Sequence, residues 1–227
     1  MKKIISIMML MIISLSVYAN DIYINQSGAT LDLDVTQDGQ NNTVGSSTTA
    51  SSVIGATTNL AITQIGDSNV MTFDVNGANY TGTFSVTGNT NNIDFNCDSG
   101  GSNSSCGTAT ASIVWVGSSS DIDIDIGETS SATGATVSIT GASGSDSNTI
   151  LGTIDGNSAI LTLSVNGDTN NFLVDIDGNG DSVGHTYIHT HTGSIADVDI
   201  TQSGIYDNMI TLTTSGDNHD IDIIQRD

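Results

Sequence analysis

Acidic and amide side chains cluster in one short segment with the spacing of a metal loop. Asp175-x-Asp177-x-Asn179-Gly180-Asp181 resembles the start of a calcium loop, in which oxygen ligands alternate and Gly180 takes the sixth position. Such a loop has a bidentate acid at its twelfth position, where this chain has Thr186. The same residues also suit an ordinary turn of the repeat described below. The turn is the preferred interpretation, so no cofactor is expected at this segment, and calcium binding is the alternative.

Three histidines form a second candidate metal site. His185, His189 and His191 are two or four residues apart, so on one strand they face the same side as Tyr187. A His-x-His pair on a strand suits zinc or copper. The segment also follows an irregularity in the glycine spacing, and an exposed bulge would explain it equally well. Both interpretations stay open.

The two cysteines, Cys97 and Cys106, bracket a loop rich in Ser, Gly and Asn. In an exported chain, a disulfide that staples this loop is the expected state of such a pair. Cys97-Asp98-Ser99-Gly100-Gly101 is similar to the nucleophile turn of serine proteases. No histidine or aspartate stands in a recognisable context to complete a triad. We therefore predict that the protein is not an enzyme.

A repeat of glycines and alternating apolar residues positions these side chains. Gly66, Gly77 and Gly88 stand eleven residues apart, each after a strand-like run and near an Asn or Asp. Period-two alternation that ends at glycine predicts a strand followed by a tight turn. A fixed period predicts stacked units, each too small to bury its own face. The residues predicted to face inward are Leu60, Ile62, Gln64, Asn69, Phe73, Val75, Phe84 and Val86.

Gln and Asn recur at fixed positions of this repeat and share the direction of the apolar residues. A side-chain amide carries donors and an acceptor, so stacked amides can satisfy one another in a buried place. The residues predicted to form such ladders, and to support assembly, are Gln26, Gln37, Asn42, Gln64, Asn69, Asn91, Asn170, Gln202, Asn208 and Gln225.

The motif Gln-x-Gly-x-x-Asn resembles the repeat of the curlin family, the subunits of bacterial curli fibres. It stands here as Gln37–Asn42 and Gln64–Asn69, with a one-residue insertion in Gln202–Asn208. The resemblance implies an all-β, curli-like cross-β solenoid with rungs of about 22 residues, each made of two strands and two turns. About nine such rungs would fit the chain. The match covers residues 22–44, 60–95, 161–181 and 198–225.

Residues 108–160 keep strand-like alternation but lose the eleven-residue spacing. We interpret this irregular middle as the same solenoid with longer turns at 127–135 and 141–147. A domain boundary is the alternative. In the preferred interpretation residues 20–227 form one solenoid.

Residues 1–19 have the pattern of a secretory signal peptide. Lys2 and Lys3 precede an apolar run, and Val17-Tyr18-Ala19 supplies a small-residue cleavage context. The run is short for a stable membrane span, which leaves an anchor as the alternative. We expect a secreted protein, and the resemblance implies the extracellular space or cell surface of a bacterium.

The chain carries a net charge of −22, with only three Lys or Arg residues. Such a charge disfavours nucleic acid and anionic lipid as partners. The polar composition would also suit a disordered chain, but the strict alternation argues for a folded one. An acidic outer face is expected to block sideways association of sheets. Its predicted members are Asp32, Asp34, Asp74, Asp94, Asp123, Asp175, Asp199 and Asp222.

Two functions remain open. The resemblance implies an exported fibre subunit or accessory for adhesion and biofilm matrix, whose partners are copies of itself, other curli-type subunits and an outer-membrane export apparatus. The alternative is a monomeric or surface-tethered solenoid that binds a glycan or calcium through an Asp/Thr face. An ice-binding face would need a regular Thr-x-Thr array. In the sequence Thr190-x-Thr192 and Thr211-x-Thr213 look too scattered to form one.

Overall fold

The computed structural model describes residues 21–39, 42–45, 50–66, 68–97, 106–127, 132, 134–178, 184–205 and 208–226. These residues form strands and turns without a helix. The strands are β1 (Asp21–Ile22), β2 (Asn25–Ser27), β3 (Thr30–Asp38), β4 (Thr43–Val44), β5 (Ser51–Ile54), β6 (Thr57–Ile65), β7 (Val70–Thr87), β8 (Asn92–Cys97), β9 (Cys106–Val116), β10 (Asp121–Ile126), β11 (Gly134–Gly141), β12 (Thr149–Asp155), β13 (Ile160–Asn166), β14 (Asn171–Asp177), β15 (Thr186–Thr192), β16 (Asp197–Ser203), β17 (Met209–Ser215) and β18 (Asp220–Arg226).

The strands stack into two walls of a parallel β-solenoid. Wall A comprises β1, β2, β4, β5, the first part of β7, β8, β10, β12, β14, β16 and β18. Wall B comprises β3, β6, the second part of β7, β9, β11, β13, β15 and β17. Each strand pairs in parallel with the equivalent strand one turn away. The predicted all-β solenoid is therefore confirmed.

The rungs are longer and fewer than the repeat predicted. The solenoid has about seven turns, with equivalent residues about 26 positions apart, rather than nine turns of 22. The spacing is 22 where Asn69 reaches Asn91, but 29 where Asn91 reaches Ser120. The extra residues lie in turns between strands. The strands keep their register, because the extra residues stay in the turns and do not enter the paired segments.

Side-chain alternation along each strand places the core between the walls. The pattern in β14 is strict, with Phe172, Val174 and Ile176 buried and their neighbours exposed. All eight residues that the sequence predicts to face inward are buried. A one-residue slip would turn each such set to solvent, so burial holds the register firmly.

The irregular middle belongs to the same stack. Strand β10 pairs with β8 on one side and β12 on the other, and β11 pairs in the same way with β9 and β13. The loss of spacing between 108 and 160 therefore reflects turns of unequal length.

Close stacking of turns explains part of the glycine pattern. Gly39, Gly66 and Gly88 lie one above another, and a Cβ atom on Gly88 would lie 1.7 Å from the carbonyl oxygen of Gly66. Only glycine permits such an approach of two backbones. Two residues after Gly88, Thr90 adopts a left-handed conformation (φ 61°), and Thr169 does the same in a later turn (φ 59°). These residues turn the chain into wall A.

Among the described residues, no helix is long and apolar enough to cross a membrane. The predicted signal peptide, residues 1–19, lies outside the described residues.

Candidate functional site

An asparagine ladder lines the corner that leads into wall A. Asn42 donates to Asn69 Oδ1 (3.0 Å), and Asn69 donates to Asn91 Oδ1 (2.9 Å). Further along the stack, Asn148 donates to Asn170 Oδ1 (2.9 Å). All five are buried. The stacked amides predicted for Asn42, Asn69, Asn91 and Asn170 are present.

The sequence reasoning missed two members of this ladder. Ser120 accepts a hydrogen bond from Asn91 Nδ2 (3.2 Å), and its backbone N–H donates to Asn148 Oδ1 (2.9 Å). A signal for Asn148 was available, because Asp146-Ser147-Asn148 repeats Asp67-Ser68-Asn69. This signal was not recognised, because Ser145 precedes the second copy where Gly66 precedes the first. Ser120 ends an all-serine turn and gave no such signal.

Glutamines form short ladders near the two ends of the solenoid. Gln64 donates to Gln37 Oε1 (2.8 Å) in wall B, and Gln225 donates to Gln202 Oε1 (3.4 Å) in wall A. Gln26 instead pairs in register with Val53, so it has no glutamine partner in that direction. Between Gln26 and Gln202, the same inward column of wall A holds Val53, Val75, Cys97, Ile126, Ile154 and Ile176. The glutamines therefore do not form one continuous ladder.

Asn208 lies at the other corner, which leads into wall B, and the predicted amide ladder is wrong for this residue. Its Oδ1 accepts from the His185 backbone N–H (3.0 Å), and its Nδ2 donates to the Arg226 carbonyl (3.4 Å). His185 in turn accepts from the Ala159 backbone N–H through Nδ1 (3.0 Å). Gln202 lies on wall A, whereas Gln37 and Gln64 lie on wall B, so the motif that starts at Gln202 ends at the opposite corner. There the column of Asn208 holds His185 and not an amide side chain.

The three histidines are buried side chains of the core. His185, His189 and His191 are fully buried, which overturns the exposed bulge as their explanation. The shared direction of His189 and His191 with Tyr187 is confirmed by the alternation in β15, and His185 lies just before this strand. Tyr187 Oη lies 3.1 Å from His189 Nδ1, and His191 Nε2 lies 2.8 Å from the Gly167 carbonyl.

Burial sets the protonation of these rings. Burial, together with the neighbouring His191, lowers the pKa of His189 to about 3, and burial also lowers the pKa of His185 and of His191. The His191 ring packs edge-on against Phe172 and His219, with ring centroids 5.4 Å apart in both pairs. Within the described part of the chain, no group of three or more His, Cys, Asp or Glu residues is arranged to hold a metal ion.

The described part of the candidate calcium segment forms a turn and an outer strand position. Asp177 Oδ1 accepts from the Gly178 backbone N–H (2.6 Å) and from Ser203 Oγ (2.7 Å), which ties it to the next rung. Asp175 faces outward on wall A, where burial and then Asp177 raise the pKa of its carboxyl. The other two predicted ligands, Asn179 and Asp181, lie outside the described residues.

Cys97 is buried in wall A and is disulfide-bonded. The side chain of Cys106 and residues 98–105 lie outside the described residues, so the Cys97–Cys106 pairing stays a prediction.

Acidic residues form ladders on the outer face of wall A. Asp94 pairs in register with Asp123, and Asp199 with Asp222. Partial burial, followed by the charges of Asp125, Asp94 and Asp121, raises the pKa of Asp123 to about 6. The acids crowd one another across neighbouring rungs.

The last rung leaves apolar residues open to solvent. Ile221 and Ile223 continue the inward columns of wall A, yet they are 39% and 47% exposed because no further rung covers them among the described residues. Ile210 and Leu212 of β17 are likewise only partly buried against the core. The β17 and β18 strands pair with β15 and β16 on one side, and their other edges face solvent within the described structure.

No protein-family model matches the chain, and comparison with curated proteins and with solved structures finds no match. The similarity to curlin repeats therefore rests on the sequence motifs alone. The β-solenoid fold is compatible with a structural or adhesion protein.

Proposed function

We propose that this protein is an exported structural subunit that adds end to end to copies of itself, forming an extracellular amyloid-like fibre for adhesion and biofilm matrix. The observation that carries the proposal is the exposed terminal rung, in which Ile221 and Ile223 end inward columns that run through the stack. An unpaired strand edge beside an open apolar column is a template for another strand.

The ladders support addition of further rungs. Gln225 donates to Gln202 and, through the same Nε2, to the Asn208 carbonyl. Both Nε2 hydrogens of Gln225 are then used, and its Oε1 remains as an acceptor for the side-chain amide of a further rung, so the ladder can continue in the same direction. The curlin-like motifs at Gln37–Asn42 and Gln64–Asn69 suggest the same mode of assembly, with other curli-type subunits and an export apparatus as further partners.

Charge sets the conditions for assembly. A chain with a net charge of −22 repels its own copies, so addition is expected to be slow at low salt. At about 0.1 M ionic strength the Debye length is about 10 Å, and much of the repulsion between separate copies is screened.

Seeded elongation tests the proposal. Purified protein is mixed with preformed seeds at several NaCl concentrations and followed by amyloid-dye fluorescence and electron microscopy. We expect elongation that becomes faster with salt. Ile223→Lys places a charge on the exposed end and should slow elongation by roughly tenfold or more, since the charge would be buried without a partner. Leu173→Lys is the matched control, because Leu173 is 50% exposed on the outer side of wall A.

Wild-type protein that fails to elongate at every salt concentration would contradict the proposal. Equal slowing by the two variants would also contradict it, because the side of the solenoid would then matter as much as its end.

A further inference from the structure

The two outer faces of the solenoid differ in charge. The outward columns of wall A carry most of the described acids that face outward from a strand, including Asp94, Asp123 and Asp199. The outer face of wall B carries Asp32, Asp34 and Asp38 on β3 and, from β6 to β17, no charged residue in the described structure. The predicted acidic outer face is therefore present along wall A, whereas on wall B acids lie only on β3 within the described structure.

The outer face of wall B is a regular array of small β-branched and hydroxyl side chains. Because the strands pair in register, residues that look scattered in the sequence fall into columns; Thr190, for example, pairs with Thr213. The outward residues from the second part of β7 onward include Thr81, Thr83, Ser85, Thr87, Thr108, Thr110, Ser112, Val114, Val116, Thr136, Ser138, Thr140, Ile160, Thr162, Ser164, Thr186, Ile188, Thr190, Thr192, Met209, Thr211, Thr213 and Ser215. Val114 and Val116 are 40% and 42% exposed within it.

We infer that this face, defined here as the wall B face, is the contact surface for a second copy of the chain, packed sheet against sheet. Two copies that meet here bring together surfaces that carry no charge from β6 to β17 in the described structure, and they keep their acidic wall A faces apart. Short β-branched and hydroxyl side chains on facing parallel sheets can interdigitate closely. This pairing is independent of end-to-end addition, because it uses the side of the solenoid.

The size of the face suits a stable dimer. Strands spaced about 4.8 Å apart, each with about seven residues rising about 3.3 Å, give a face of roughly 40 by 20 Å, or about 800 Å². A standard protein–protein interface buries about 800 Å² on each partner. The face is therefore large enough without any additional element.

Charge also selects the orientation of the two copies. In a parallel pair, Asp32, Asp34 and Asp38 of one copy would face the same three residues of the other. In an antiparallel pair they face the end of the wall that holds Thr211, Thr213 and Ser215, which carries no charge. We therefore assign an antiparallel, two-fold symmetric pair.

The test uses full-length protein with Ile223→Lys as background, so that association at the end does not contribute. Sedimentation velocity over a concentration series is expected to show a monomer–dimer equilibrium that closes at two copies. Thr136→Lys with Thr162→Lys places charges near the centre of the wall B face, away from the acids of β3, and should weaken the dimer by roughly tenfold or more, because the lysines would be buried without partners. Thr153→Lys with Thr201→Lys is the matched control on wall A, and it should leave the dimer unchanged.

The inference would be overturned if the Ile223→Lys protein remained monomeric at all concentrations. It would also be overturned if both double substitutions to lysine dissociated the dimer equally. In a mixture of two single variants, Thr211→Cys should form a disulfide cross-link with Asp34→Cys, and Thr211→Cys alone should not cross-link to a second copy of itself. Self-cross-linking at Thr211 would overturn the antiparallel arrangement. None of these results depends on whether seeded fibres grow, so failure of the proposed fibre function is distinguishable from failure of this pairing.

Discussion

The indole ring of Trp115 occupies the space that Gly141 leaves open one rung further along wall B. The two residues pair in register, and a Cβ atom on Gly141 would lie 2.4 Å from the ring. Tyr80 and Gly82 show the same compensation within one strand, since a Cβ atom on Gly82 would lie 1.9 Å from the tyrosine hydroxyl oxygen. Large and small residues in the core are therefore matched to each other.

Gly141→Ala should destabilise the protein by about 1–3 kcal/mol, because the added methyl group overpacks the core against a buried ring. Gly152→Ala is the matched control. Its Cβ atom would be 3.7 Å from Leu161, an ordinary contact, and its backbone is not left-handed. That substitution should stabilise by up to about 1 kcal/mol. Urea unfolding of both variants measures the difference, and equal effects would contradict the packing argument.

Asn69→Leu should cost about 1–3 kcal/mol or more, because Asn91 Oδ1 would lose its donor in a buried place. Asn69→Ser should cost less, since Ser120 occupies the same corner column and bonds to neighbours on both sides. Thermal unfolding of the two variants would test this order. A leucine variant as stable as the serine variant would show that the ladder contributes little.

Asp123 should make the protein more stable as the pH falls through about 6. Its folded-state pKa is raised above the unfolded value, so its favourable contribution is present at low pH and is lost as the pH rises through about 6. Asp123→Asn should flatten this part of the stability profile. Comparing wild type and variant between about pH 4 and 7, which spans the unfolded and the folded pKa, isolates the carboxyl, because His189 and its buried neighbours are common to both proteins. Parallel profiles would rule out the assignment.

Ile195 is a β-branched residue in the left-handed region (φ 60°), where L side chains other than Asn and Asp are disfavoured. Ile195→Asn should therefore stabilise the protein by about 1 kcal/mol, since Ile195 is 55% exposed and little packing is lost. Asn218 already occupies the equivalent position one rung later (φ 61°). A loss of stability in denaturant unfolding would show that the isoleucine contacts outweigh the strain.

Local patterns in the sequence were sufficient to predict the walls, the inward set and much of the Asn ladder. Alternation fixes which way a side chain points, so the shared direction of His189 and His191 was also correct. Their burial could not be predicted, because it depends on rungs that cover them from both sides. The columns of the wall B face were missed for a related reason. Thr190 meets Thr213 only once the turn between them is known, and turn lengths vary from rung to rung.

The turns differ in length while the strands keep their register, and this arrangement also affects how the chain folds. Residues that pair in register on successive rungs are only 22–29 positions apart, for example 22 for Thr149 with Asn171 and 29 for Asn92 with Asp121. Each rung can therefore pair with the preceding rung as soon as one more turn of the chain is formed, because in the described structure it makes no contacts with segments that are distant in the sequence. Folding is expected to spread along the stack like a zipper, and pulling on the termini should release the rungs one after another.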